Sequence, residues 1–137
     1  ENNYLFCAPE NLTSLKNGGR ISPAVAALGN TIGLKPMLVL KDGSLEKDGM
    51  IRNVKKAFID KLEKMIKKCP LTEYDYALVD FFGNEKVITP IIDWFNEKNK
   101  NHNLIRGIVP INVCAHCGPG TIAIVISPKI NCKSIEE

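Results

Sequence analysis

Aromatic side chains make up only 7% of this sequence, against a 45% hydrophobic share, so Ile, Leu, Val and Ala must build most of the core. No apolar run approaches the roughly 20 residues that a membrane-spanning helix needs, and no membrane span is expected. Charge of one sign is also scarce: 18 basic and 15 acidic residues leave a net +3. Nucleic-acid binders usually carry a dense Lys/Arg face interleaved with aromatics, so this balance argues against nucleic acid as a partner. Cys7, Cys69, Cys114, Cys117 and Cys132 are odd in number and do not resemble a secreted disulfide framework. Reduced thiols in a cytoplasmic protein fit better. The opening Glu1-Asn2-Asn3 has neither the basic nor the apolar region of a signal peptide. It also lacks an initiator Met, as expected of a piece excised from a longer protein.

The 137 residues fit one domain. Tyr4–Ala8 reads as a short buried strand. Pro9 opens a helix through Leu12 and Leu15, closed by Asn17-Gly18-Gly19. Ser22-Pro23 starts a second helix that runs to about Ile32. Leu34–Leu40 is a strand, Asp42-Gly43 a hairpin turn, and Ser44-Leu45-Glu46 the return strand. Asn53–Cys69 is the clearest helix, with Val54, Phe58, Leu62, Met65 and Cys69 on one face. Asp75–Phe82 is a strand. Thr89-Pro90 lies at or near the start of a helix through Ile91, Ile92, Trp94 and Phe95. Leu104–Val109 and Thr121–Ser127 are strands, and a frayed tail follows from Pro128. Strands joined by helices, with one tight hairpin, predict an α/β (α+β) fold: a mixed β-sheet with packed helices.

Two glycine-centred loops carry most of the chemical signal. In Gly18-Gly19-Arg20-Ile21-Ser22 the glycines permit close backbone approach. Arg20 precedes a helix N-terminus, where free N–H groups favour an anion and a guanidinium adds charge-assisted contacts. The alternative is helix punctuation with a solvated arginine. No Gly-Lys-Ser/Thr follows, so this is not a Walker loop, and it is not the Rossmann fingerprint. In His116-Cys117-Gly118-Pro119-Gly120, the rigid turn can fix an imidazole at a pocket mouth; a surface-loop histidine without a role is the alternative. Cys114-Ala115-His116-Cys117 has the spacing of half a zinc site or of a redox dithiol. The spare metal ligands are only Cys132 and His102, and the pair is followed by Gly-Pro-Gly and a strand, not by a helix.

Other motifs carry less. Asn11-Leu12-Thr13 matches a glycosylation acceptor in a chain with no other secretory feature. Asp75, Asp80, Glu85 and Asp93 form no obvious acid/base pair, and Ser14, Ser22 and Ser44 lack a nucleophile-elbow setting.

Taken in order, Leu12–Ser22, Leu34-Lys35-Pro36-Met37-Leu38 with Asp42-Gly43, and His116–Gly120 resemble signatures of the DegV family, specifically its C-terminal lobe. The resemblance spans nearly the whole chain. It implies a long-chain fatty acid ligand held between two lobes. It also implies, for some members, service as the binding subunit of a bacterial fatty acid kinase, with no catalysis and no cofactor of their own. By motif position, Arg20 and His116 stand near the fatty acid carboxylate, with Gly19, Ser22, Cys117 and Gly118 beside them. Cys117 stands where Thr is common, and Cys114-Ala115 replaces a more usual Gly-Thr. A thiol donates a weaker hydrogen bond than a hydroxyl. The N-terminal lobe, with its Ser/Thr contacts, is not in this chain. The Ser22–Ile32 helix and the Leu34–Leu40 strand are the expected wall for the acyl tail.

Overall fold

Every strand expected from the sequence is present, and together they make one mixed sheet. The structure, a computed structural model, describes residues 2–10, 12, 34–108 and 118–130. The strands are β1 (Tyr4–Ala8), β2 (Lys35–Lys41), β3 (Ser44–Ile51), β4 (Tyr74–Asp80), β5 (Ile105–Ile108) and β6 (Ile122–Pro128). Their order in space is β3-β2-β1-β6-β4-β5. Neighbours pair antiparallel except β4 and β5, which are parallel. The Asp42-Gly43 turn joins β2 to β3 with positive φ at both residues, 51° and 79°, as a primed hairpin turn requires.

Helix α1 (Val54–Lys68) links β3 to β4, and α2 (Glu85–Lys98) links β4 to β5. Asn53 caps α1, its side-chain oxygen accepting the Lys56 N–H at 3.0 Å. Lys67 and Lys68 sit in the last turn, where cations suit the helix dipole. Phe58 and Leu62, one turn apart, are fully buried. Burial of Tyr76 raises the pKa of its hydroxyl, which donates to the Cys69 carbonyl at 2.8 Å.

Three details differ from the sequence expectation. Helix α2 begins at Glu85, not near Thr89. The side-chain oxygen of Asn84 accepts the Lys86 N–H, and its carbonyl accepts Val87 and Ile88. Pro90 therefore lies inside the helix, where it forgoes one backbone bond; burial of Ile88, Ile91 and Phe95 offsets that loss. Strand β4 ends at Asp80, short of Phe82, because Phe82 has φ +49°, outside the extended region. The chain is still ordered at Pro128, which pairs with Tyr74, and the Lys129 N–H donates to the Glu73 carbonyl at 2.8 Å. The helices expected between Pro9 and Ile32 lie almost wholly outside the described residues.

Alternation along the strands separates two apolar faces. Phe6, Tyr76, Leu78, Ile124 and Ile126 meet Phe58, Leu62, Ile88, Ile91 and Phe95 in the main core. Cys7, Leu38 and Ala123 point the other way, with Leu12 packed among them. Leu38 has no exposure at all, so this second face is buried too. Among the described residues, no helix is long and apolar enough to cross a membrane.

Candidate functional site

The topology gathers several strand ends at one edge of the sheet. β1 ends at Ala8 and β6 begins at Ile122, directly opposite it. β4 ends at Asp80, paired with both Ile122 and Ile108. β2, antiparallel to β1, starts at Lys35 beside the same edge. The described strand ends that precede or follow segments 13–33 and 109–117 in the chain include Ala8, Lys35, Ile108 and Ile122, all at this edge. Gly19, Arg20, Ser22, His116 and Cys117 fall within those segments, outside the described residues. Gly118 is described: it is buried, with φ +76°.

A pocket of about 290 Å³ opens at this edge. Ala8, Val54, Phe82, Val87 and Ile122 give it apolar walls, and Glu10, Lys35, Asn84 and Gly120 complete it. Glu10 and Lys35 form an ion pair at 2.6 Å on its rim, both side chains at least a third exposed. Gly120 has φ +94°, and a Cβ there would lie 2.8 Å from the Glu10 Cβ. Glycine is required on both counts: it admits the backbone conformation and leaves Glu10 room to reach Lys35.

The wall that carries Phe82 is fastened from two sides. The Phe81 N–H donates to the Thr121 carbonyl at 3.0 Å, and the Gly120 N–H to the Phe81 carbonyl at 2.6 Å. Asp80 Oδ2 accepts the Gly83 N–H at 3.0 Å, while Asp80 Oδ1 accepts Arg106 Nε at 3.1 Å. The two terminal nitrogens of Arg106 go to the two carboxylate oxygens of Glu85, the first residue of α2. Gly83 is close-packed: a Cβ there would meet Ile88 Cδ1 at 2.7 Å and Ile122 Cγ1 at 3.1 Å. Between these fastenings Phe82 stands 82% exposed, its ring 4.9 Å from that of Phe81.

Hydrogen bonds from Arg106 hold the Glu85 carboxyl below its ordinary 4.5, with Thr89 adding a weaker bond. Glu85 and Asp80 in turn hold the Arg106 guanidinium in its charged form. Both carboxylates are thus committed to Arg106, which leaves no acid/base pair between them. The negative Glu85 also occupies the favourable N-terminus of α2, so a ligand carboxylate would meet repulsion there. Among the described residues, no group of three or more His, Cys, Asp or Glu could hold a metal ion. The zinc or redox alternative rests on Cys114, His116 and Cys117, outside the described residues. His102 follows the C-cap of α2, at the opposite end of that helix from the pocket.

Sequence reasoning reached the Lys35-Pro36 motif, whose Lys35 lines the pocket. It did not reach Glu10, Phe82 or the Asp80–Arg106–Glu85 cluster. Two signals were available. Arg106 interrupts an apolar strand, and Phe82-Gly83-Asn84 puts a large apolar residue where a turn and a helix cap belong.

A model of the DegV family, described as uncharacterised proteins, matches residues 1–129. The chain is 32% identical over 117 residues to the DegV domain-containing protein YteA of Lactococcus lactis, covering 84% of this chain and 40% of that protein. It is similar in structure to a fatty acid binding DegV family protein from Streptococcus agalactiae, with TM-score 0.78 and 25% identity, over 93% of this chain and 45% of that one. A DegV family protein from Eubacterium eligens, loaded with heptadecanoic acid, shares the fold at TM-score 0.73 and 20% identity, over 93% and 46% of the two chains. The chain thus spans less than half the length of each of these relatives.

Proposed function

This chain belongs to the DegV family, and on that premise we propose that it is one lobe of a long-chain fatty acid site, acting in the cytoplasm as a binding protein without catalysis of its own. The observation that carries the reading is the pocket beside Gly120, at the edge where β1 and β4 end and β6 begins. Val54, Phe82, Val87 and Ile122 in its mixed lining suit an acyl chain, since burying each CH₂ is worth roughly 0.8 kcal/mol. At about 290 Å³ it is at the small end for a ligand site. It would hold part of a long chain, with the rest against an N-terminal lobe.

In this reading Arg20 and His116 meet the carboxylate, with Gly19, Ser22, Cys117 and Gly118 shaping the surroundings. The bound carboxylate is then presented to a fatty acid kinase subunit. Arg20 supplies fixed charge, and His116 supplies a ring N–H donor. The test is native purification of the complete gene product, followed by lipid extraction and mass spectrometry. A long-chain fatty acid should co-purify at about one per protein. Protein that carries no lipid and takes up no added heptadecanoic acid would contradict the proposal. Stoichiometric zinc instead of lipid would favour a metal site at Cys114, His116 and Cys117.

A further inference from the structure

Phe82 is costly where it stands. A bulky side chain at φ +49° is a genuine backbone outlier, and 82% exposure recovers little by burial. It also lines the pocket. Beside the Phe81 backbone bonds to Thr121 and Gly120, one distant side chain braces this segment. Arg106, on edge strand β5, spans Asp80 at the end of β4 and Glu85 at the start of α2. Those two residues bracket 81–84. Asp80, only 11% exposed, divides its carboxylate between Arg106 and the Gly83 N–H.

We propose that Arg106 is a positioning residue for the pocket: by fixing Asp80 and Glu85 on either side of Phe82, it holds that ring on the wall against which the acyl chain packs. The inference rests on the fatty acid reading above. It assigns Arg106 no contact with ligand. The planar guanidinium suits the task because it reaches both carboxylates at once in fixed directions. A lysine would reach one at a time.

The test is a double-mutant cycle on the complete gene product, with heptadecanoic acid as the probe and thermal unfolding measured in parallel. Arg106→Ala should weaken binding about fivefold to tenfold, roughly the scale of losing the burial of one or two CH₂ groups against the displaced wall. Arg106→Lys should restore only part of that loss. In a Phe82→Ala background, Arg106→Ala should have almost no further effect on affinity. Equal losses in both backgrounds would overturn the proposal, because Arg106 would then act independently of Phe82. If Phe82→Ala weakens binding while Arg106→Ala does not, the positioning role fails and the fatty acid site stands. If the unmutated protein does not bind the probe, the underlying reading fails and this one falls with it.

Discussion

The helix-covered core and the pocket edge of the same sheet are built on opposite terms. In the core, Phe6, Phe58, Leu62, Tyr76, Ile91 and Phe95 are at most 2% exposed. Rings meet at tilted angles, with Phe6 and Phe58 5.4 Å apart, and the buried Tyr76 hydroxyl has its acceptor. At the edge, a phenylalanine stands in the left-handed region, half-exposed ions pair on a rim, and glycines make room for carboxylate side chains. Close packing and hydrogen bonding make the core stable. The edge carries strain and open apolar surface, and such features persist where the surroundings enforce them, often at ligand sites. The contrast separates substitutions that unfold the chain from those that alter what it holds.

The largest expected effect breaks the core side of that contrast. Phe58→Ala removes a fully buried ring, and truncations of this kind cost about 3–5 kcal/mol. Chemical denaturation should report a loss of that size. Any ligand still bound by the folded fraction should keep its chain-length preference.

Next come Arg20 and His116, the residues proposed to meet the head group. Arg20→Ala should weaken fatty acid binding by about 1.5–3 kcal/mol, the worth of a hydrogen bond to a charged partner, with little change in melting temperature. His116→Ala should impair acyl-phosphate formation more than tail binding. Calorimetry and a kinase-coupled assay separate the two, and unchanged values for both variants would remove these residues from the site.

Phe82 sharpens the contrast further. Asn tolerates the left-handed region better than Phe, so Phe82→Asn should leave stability unchanged or raise it by a few tenths to about 1 kcal/mol. It should also weaken ligand binding, because an apolar wall is lost. A variant that loses stability and keeps full affinity would show that Phe82 belongs with the core.

The smallest effect is a pH dependence. Arg106 holds Glu85 below its ordinary 4.5 in the folded chain. Its contribution is therefore present above that value and is lost as pH falls through and below it. Glu85→Gln should flatten the acid limb of the stability profile slightly, since the pair is exposed and screened. An unchanged acid limb would mean that the link contributes nothing measurable to stability.

Much of the fold was legible because local rules agree with tertiary packing. The short apolar run at Tyr4–Ala8, the Asp42-Gly43 pair and the 58/62 spacing on α1 each point to the element observed. Helix α2 was placed too late because Pro90 reads as a helix start, whereas Asn84 is the cap. Phe82 reads as a strand residue because nothing in its side chain signals the positive φ it adopts. Of the pocket lining, Gly120 and Lys35 were legible, because they stand in local motifs. The Glu10–Lys35 and Asp80–Arg106 pairs join residues 25 and 26 positions apart, and only the folded sheet brings them together.

The central claim, that the ligand is held at the pocket edge, is tested most directly by titrating heptadecanoic acid into the isotope-labelled complete gene product and following backbone amides by NMR. The account predicts large shifts at Phe82, Gly83, Gly118 and Gly120, with the amides of Phe58 and Leu62 on α1 unmoved. Shifts concentrated on α1 with none at the edge, or no shifts at all, would contradict it.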